Sequence, residues 1–101
     1  MQFGLILAAA LTAVGFVGEP AYRDARLAEA RGDAKDALFA FRELAGTIGP
    51  LAAYARVKEG DCYRELGAFA DAEAAYRAVL AEKPEGPWAR MAAAHLGLLL
   101  K

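Results

Sequence analysis

The side chains that most often carry out enzyme chemistry are nearly missing from this chain. Its 101 residues include no Ser and no Asn, and only one Cys (Cys62) and one His (His95). A Ser-His-Asp triad and a zinc site made of several Cys and His side chains therefore cannot be assembled from this sequence. We expect no catalytic, cofactor-binding or metal-binding residue, and predict a protein that is not an enzyme.

Cys62 and His95 are both expected to have structural roles. Cys62 has no second cysteine with which to form an intramolecular disulfide bond. The cysteine content therefore does not indicate whether the protein works in an oxidising or a reducing compartment. It lies among apolar residues of a predicted helix, where a cysteine usually packs as a small hydrophobic side chain. His95 lies between Ala94 and Leu96 in the last predicted helix, and we expect it to be packed or half exposed.

Charge and composition indicate a helical protein without affinity for nucleic acid. Twelve basic and thirteen acidic residues give a net charge of -1, which provides no basic surface for a phosphate backbone. Alanine supplies about a quarter of the chain and β-branched residues are few. This bias favours helix over strand, so the predicted fold class is all-α.

The first eighteen residues differ from the rest of the chain. Residues 3–17 carry no charge and only Thr12 is polar. As a helix this segment would be about 23 Å long, which is short for a hydrocarbon core of about 30 Å. It is a membrane anchor, a secretory signal cleaved near residues 13–15, or a soluble helix that caps the domain. We expect a membrane-related segment in residues 1–18 and a helical repeat domain in residues 19–101.

An internal repeat organises the helical domain. Two similar segments begin at Gly32 and Gly67, 35 residues apart, and in each an alanine and then an aromatic residue follow at the same distances. These residues are Ala37 with Phe41, and Ala72 with Tyr76. Such a period is typical of units that stack to bury their apolar faces. Each glycine is expected to end one helix at a tight helical hairpin.

Glycine and proline positions predict five helices after residue 18. They cover residues 20–31, 34–45 and 50–66, the stretch between Gly67 and Lys83, and residues 88–100. Proline in the first turn of a helix costs no hydrogen bond, so Pro20 and Pro50 are expected near helix starts. The helices form antiparallel pairs, with residues 3–17 as either a sixth helix or a membrane segment.

Residues 53–84 resemble a tetratricopeptide repeat. The residues that match the family's spacing are Gly60, Tyr63, Gly67, Ala72, Tyr76 and Pro84. Arg56 and Glu59 depart from the pattern, because the family usually has a large aromatic residue and a leucine there. A degenerate copy precedes this repeat and the start of a third follows it. The resemblance implies antiparallel helical hairpins stacked as a short superhelix.

A looser resemblance concerns bacterial cell-envelope proteins. Residues 49–55 and 84–89 look like segments of the helical shoulder of soluble lytic transglycosylases and of membrane-anchored periplasmic assembly factors. The chain lacks the catalytic domain of those enzymes, so their activity is not implied. The positive-inside rule would keep the repeats in the cytoplasm, whereas this resemblance favours the periplasmic side, which we prefer.

The tetratricopeptide resemblance also implies a binding surface on the concave side of the stack. The corresponding residues are Tyr22, Arg26, Glu29, Tyr54, Val57, Asp61, Arg64 and Glu65. Arg26 and Arg64 have the paired N–H donors that bind a carboxylate. The alternative is that the charged members pair with one another as a solvated face.

These observations predict a membrane-attached, non-catalytic scaffold or accessory subunit whose partner is a protein, helix or peptide. Two alternatives stay open, namely the helical arm of a lytic transglycosylase-like enzyme and a soluble protein that associates with itself. Residues 96–100 contain four leucines, and an exposed apolar edge there would invite a partner or a second copy.

Overall fold

The computed structural model describes residues 19–47 and 51–101. This part of the chain folds into helices connected by short turns and contains no strand. The prediction of an all-helical protein is therefore confirmed. The helices are α1 (Glu19–Ala30), α2 (Ala34–Ala45), α3 (Leu51–Glu65), α4 (Phe69–Glu82) and α5 (Pro87–Leu99).

Two predictions fall on residues that the structure does not describe. The apolar segment of residues 3–17, with its three interpretations, lies outside the described residues, and so does Pro50. Of the helices α1 to α5, none combines the length and the apolar composition that crossing a bilayer requires.

The two hairpin turns have the same geometry, as the repeat predicts. Gly32 and Gly67 have φ angles of +73° and +80°, a left-handed conformation that glycine adopts without steric cost. In both turns, the N–H group after the glycine donates to the carbonyl group five residues earlier. The pairs are Asp33 with Ala28 (2.9 Å) and Ala68 with Tyr63 (2.8 Å). These hydrogen bonds close the ends of α1 and α3.

The helices that follow the turns start differently. The Asp33 carboxylate accepts a hydrogen bond from the Asp36 N–H at 3.1 Å and caps α2. Ala68 occupies the equivalent position before α4 and has no side chain that can do so. An N-cap of this kind stabilises a helix by about 1 kcal/mol, so α4 depends more strongly on its packing.

The helices form an array in which each packs against the next one in the chain, and α3 also packs against α5. The α3–α5 pairs are Tyr54 with Trp88 and Asp61 with His95, both 34 residues apart. A constant separation means that α3 and α5 run in the same direction. The α3–α4 pairs are Asp61 with Tyr76 and Arg56 with Glu82, which makes these two helices antiparallel.

The apolar core has two parts. The first lies between α1, α2 and the inner face of α3, and its largest fully buried side chains are Phe41 and Leu44. The second joins α3, α4 and α5 around Val57, Tyr76 and Val79. Burial of one such large side chain contributes about 1.5–3 kcal/mol. Buried alanines separate the helices at their crossings, so the alanine-rich composition sets close helix spacing.

Gly60 allows the closest approach in the second hairpin. A Cβ atom at this position would lie 2.6 Å from Cε1 of Tyr76, which is closer than two carbon atoms can pack. The ring of Tyr76 therefore fills the space that a side chain at residue 60 would occupy. This contact explains why a glycine occupies position 60.

Ion pairs take the place of apolar contacts at Arg56 and Glu59. Arg56 pairs with Glu82 of α4, and Glu59 lies 3.9 Å from Arg42 of α2. Partial burial raises the pKa of Glu59, while the nearby Arg42 and Arg56 act in the opposite direction. The two departures from the tetratricopeptide pattern thus become charged links between α3 and its neighbours.

Candidate protein-binding surface

Helices α1, α3 and α5 share a surface that carries a row of aromatic side chains. The ring centroids of Tyr22 and Tyr54 are 6.2 Å apart, and those of Tyr54 and Trp88 are 5.1 Å apart. Phe41 supports the middle of the row from below, with its ring edge-on to Tyr54 at 6.1 Å. We call Tyr22, Tyr54 and Trp88 the aromatic row. Each of the three is partly buried and partly open to solvent, so the row is a fixed surface that combines apolar and polar atoms.

The N-terminal end of α5 brings Trp88 into the row. Pro87 is the first residue of α5, and its fixed φ angle suits the first turn of a helix. Trp88 follows it and also borders a groove of about 540 Å³ between α3, α4 and α5. The row therefore has an open space at its α5 end.

A first charged cluster lies beside the aromatic row and joins α1 to α3. The carboxylate of Glu29 accepts a hydrogen bond from the ammonium group of Lys58, and the guanidinium group of Arg26 lies 3.7 Å from the same carboxylate. Partial burial lowers the pKa of Lys58, but the hydrogen bond and the charge of Glu29 outweigh it, so the pKa is raised overall. A hydrogen bond with Tyr54 raises the pKa of Arg26. Both side chains therefore stay positively charged at neutral pH.

A second charged cluster joins α3, α4 and α5 around one carboxylate oxygen. Oδ1 of Asp61 accepts a hydrogen bond from the hydroxyl group of Tyr76. The same oxygen lies 2.7 Å from Nδ1 of His95 and 3.9 Å from the guanidinium group of Arg64. The rings of Tyr76 and His95 also meet edge to face at 5.8 Å. We call Asp61, Arg64, Tyr76 and His95 the Asp61 cluster.

Tyr76 connects the Asp61 cluster to the core. Its side chain is fully buried, and burial raises its pKa, as does the hydrogen bond to Asp61. The hydroxyl group is therefore a stable donor rather than an acid at neutral pH. Because Nδ1 of His95 is directed at Asp61, Nε2 is the ring nitrogen that remains for another contact.

Cys62 lies near Glu29 and Asp61 of the two charged clusters. It is buried in the first part of the core, and burial raises its pKa to about 12. A thiol with such a pKa is protonated at neutral pH and reacts slowly. Within residues 19–47 and 51–101, the His, Cys, Asp and Glu side chains form no group of three that could hold a metal ion.

Most of the surface residues implied by the sequence contribute to these two clusters and to the row. Tyr22 and Tyr54 form two thirds of the row, and the charged members that make contacts are Arg26, Glu29, Asp61 and Arg64. Glu65 is exposed at the end of α3. Arg26 and Arg64 each lie within 4 Å of an acidic side chain. This arrangement agrees with the alternative in which the charged residues of the surface pair with one another.

Val57 is the exception and has to be corrected. Its side chain is fully buried and packs with Ala72, Tyr76 and Leu96 in the second part of the core. The reason is that α4 and α5 close over this face of α3, so Val57 is not available to a partner.

Sequence reasoning missed three contributors to the surface, namely Lys58, Trp88 and His95. Lys58 lies one helical turn after Tyr54, and Trp88 and His95 lie 34 residues after Tyr54 and Asp61. This separation is one residue shorter than the 35 residues between Gly32 and Gly67, so the period of the two hairpins would have indicated Ala89 and Leu96 instead. His95 is partly exposed, as predicted, but its bond to Asp61 was not foreseen.

Comparison with protein-family models, curated proteins and solved structures finds no match for this chain.

Proposed function

We propose that this protein is a non-catalytic scaffold that binds a peptide or helix of another protein along the surface of α1, α3 and α5. In this proposal the helices form a short superhelix of the tetratricopeptide type, and residues 1–18 attach it to a membrane of the cell envelope. The observation that carries the proposal is the aromatic row, which runs across the alternate helices α1, α3 and α5 and is flanked by two charged clusters.

The chemistry of the surface suits a protein segment better than a small molecule. Aromatic side chains supply large contact area with little loss of conformational freedom, which is why they are enriched where proteins bind each other. The flanking clusters supply hydrogen-bond donors that are already oriented by Glu29 and Asp61. An incoming segment with apolar side chains and carboxylates would find partners along the whole row.

The surface is also pre-organised. The members of both clusters come from different helices, so their side chains are fixed by the packing of the array rather than by one flexible loop. A fixed surface binds with a smaller loss of entropy than one that must order on binding.

Two exposed or partly exposed residues allow the surface to be tested without dismantling the core. Arg26→Glu reverses a charge at the first cluster, and Tyr22→Ala removes one end of the aromatic row. We expect each to weaken capture of the partner from a detergent extract, and Tyr22→Ala, which removes a large aromatic contact, to do so by about thirtyfold. The measurement is affinity purification with cross-linking, followed by titration of the identified segment.

Arg77→Glu is the matched control. Arg77 pairs with Glu73 on α4, as Arg26 pairs with Glu29 on α1, and the two arginines are similarly exposed. Its reversal should leave binding unchanged. Equal loss of binding in Arg26→Glu and Arg77→Glu would show that net charge, rather than this surface, controls the interaction.

Membrane attachment is tested separately by fractionation of cells that express the full chain. We expect the protein to remain with the membranes and to need detergent for extraction. A chain that keeps an intact N-terminus and is fully soluble without detergent would exclude the anchor and leave the scaffold proposal in place.

A further inference from the structure

The outer face of the first hairpin is an apolar groove with an acidic rim. It measures about 390 Å³ and lies between α1 and α2. We call it the acidic groove, and its members are Asp24, Leu27 and Arg31 on α1 with Asp36, Phe39 and Glu43 on α2. Leu27 and Phe39 are 59% and 75% exposed, so two large apolar side chains of neighbouring helices are open to solvent at one place.

The charges of the acidic groove are not balanced. Arg31 lies 3.8 Å from Asp36, which leaves Asp24 and Glu43 without an ion pair to any described side chain. The three acidic residues and one arginine give the groove a net charge of -2. A partner that covers Leu27 and Phe39 would therefore be favoured if it also carried cations.

The outer face of α5 has the complementary properties. Its exposed residues follow one helical stripe, which we call the basic stripe and which consists of Arg90, Ala93, Ala94, Gly97 and Leu98, with Lys101 beside its end. Leu98 is 61% exposed, and residues 87–101 contain no Asp or Glu. The small residues between Arg90 and Leu98 would let another helix approach closely, and nothing lies within 4 Å of the space where a side chain at Gly97 would begin.

The two faces lie at opposite ends of the array. In the described part of the chain α1 packs against α2 and meets α3 through side chains, whereas α5 packs against α3 and α4. One molecule therefore cannot join its own acidic groove to its own basic stripe, but two molecules can join end to end.

We infer that copies of this chain associate head to tail, with the basic stripe of one copy seated in the acidic groove of the next. Leu98 packs against Leu27 and Phe39, and Arg90 and Lys101 lie near Glu43 and Asp24. The contact is heterologous, so it leaves one free groove and one free stripe on every assembly and allows growth beyond a dimer. It involves neither the aromatic row nor the Asp61 cluster and is independent of the proposed binding function.

The first test is the oligomeric state of the full chain in a mild detergent, measured by sedimentation and light scattering. We expect a concentration-dependent series of oligomers larger than dimers. Phe39→Asp and Leu98→Asp should each abolish it, because each places a carboxylate in one half of the contact. Both residues are exposed in the single molecule, so helix content and melting temperature should not change.

Phe69→Asp is the matched control, because Phe69 is 58% exposed and lies on neither face. This variant should associate like the unchanged chain. Equal loss of association in Phe39→Asp, Leu98→Asp and Phe69→Asp would mean that general hydrophobicity drives association, and the inference would be wrong.

The decisive test mixes the two inactive variants. Phe39→Asp retains a working stripe and Leu98→Asp retains a working groove, so their mixture should form one-to-one dimers and nothing larger. A symmetric contact between two stripes would instead leave Phe39→Asp dimeric by itself. That result, a mixture that stays monomeric, or an unchanged chain that is monomeric at all concentrations would each overturn the inference. In the last case the groove is covered by another segment or another protein.

A charge exchange tests the rim. Glu43→Arg and Arg90→Glu should each weaken association about threefold to tenfold, as expected for charges at the edge of an interface. The variant with both changes should regain most of the loss. Additive loss in the double variant would show that these two residues do not face each other.

Discussion

The two hairpins place an aromatic ring at the same point of the repeat but use it differently. Phe41 and Tyr76 are 35 residues apart, and both are fully buried. The ring of Phe41 has only packing contacts, against Tyr54 and beneath Lys58. Tyr76 packs in the same way but adds a hydroxyl group that reaches Asp61.

This difference shows how one atom joins a core to a surface. In the first hairpin the core and the Glu29–Lys58 pair are adjacent but not bonded to each other. In the second, Tyr76 donates to the carboxylate that also holds His95 and Arg64. The position of α5 is therefore tied to the core of α3 and α4 by a hydrogen bond as well as by apolar contact.

The residues that face Phe41 and Tyr76 from the preceding helix also differ between the two hairpins. Ala25 lies opposite Phe41 in the repeat, and Gly60 lies opposite Tyr76, again 35 residues apart. Ala25 is fully buried, so the first hairpin tolerates a methyl group where the second has none. The closer approach at Gly60 brings α4 near enough for the Tyr76 hydroxyl to reach across to α3.

The largest predicted effect is the removal of either ring. Phe41→Ala and Tyr76→Ala should each reduce the free energy of unfolding by about 3–5 kcal/mol, because each leaves a large cavity. Urea denaturation followed by circular dichroism measures this. If the two hairpins are equivalent in packing, the losses will be similar, and a loss below 1 kcal/mol for either would mean that its ring is not central.

The next effect distinguishes the helix crossings. Gly60→Ala should destabilise the fold by about 1–3 kcal/mol, because the new methyl group meets the Tyr76 ring. Ala25→Gly makes the opposite change in the first hairpin. It should lower the free energy of unfolding by about 1 kcal/mol, because glycine has a lower helix propensity than alanine. A stabilising Gly60→Ala change would show that the contact relaxes freely.

An effect of similar size isolates the hydroxyl group. Tyr76→Phe should reduce the free energy of unfolding by about 1.5–3 kcal/mol, the range for a hydrogen bond to a charged group. It should also weaken the packing of α5 against α3 and α4. Hydrogen exchange should increase in α5 and remain unchanged in α1 and α2. Phe41→Tyr is the converse variant, and it should destabilise the first hairpin if the added hydroxyl finds no acceptor there. Uniform exchange across all helices in Tyr76→Phe would contradict the link.

The smallest effect is seen only in alkali. The pKa of Tyr76 is raised in the folded state, so its contribution to stability is complete below the ordinary tyrosine pKa of about 10. It is lost as the pH rises above that value, because the unfolded chain then releases a proton that the folded chain retains. The free energy of unfolding, measured between about pH 9 and about pH 11, one unit either side of that pKa, should show a decline that Tyr76→Phe reduces.

Cys62 must be removed in that experiment. Its pKa is also raised, and its thiol would add a second decline in the same direction. The comparison of Cys62→Ala with Cys62→Ala/Tyr76→Phe therefore isolates the tyrosine. Identical curves for these two variants would show that Tyr76 titrates as freely in the folded protein as in the unfolded chain.

Local features of the fold were accessible from the sequence because they depend on a few neighbouring residues. Gly32 and Gly67 predicted both hairpin turns, and Asp33, which caps α2, is a residue type that favours this position. The role of Gly60 also followed from residue type, since only a residue without a side chain permits the Tyr76 ring at that distance. These signals act within one or two helical turns.

The candidate surface was less accessible. Arg56 and Glu59 stood out only as departures from a pattern, and their ion pairs with Glu82 and Arg42 could not be derived from it. Val57 was assigned to the surface because its position in the repeat suggested so, whereas the packing of α5 determined its burial. The long-range pairs were missed because the stagger between helices determines which side chains meet.

The amino-acid sequence by itself determined that this protein is helical, where its two hairpin turns lie and that small residues separate its helices. These properties follow from backbone geometry and steric size, which are fixed locally. Only the tertiary structure decided that Asp61 holds His95, that Glu29 holds Lys58 and that Trp88 extends the row begun by Tyr22. Those contacts join residues about thirty positions apart, and they depend on the distances and directions that the packed helices impose.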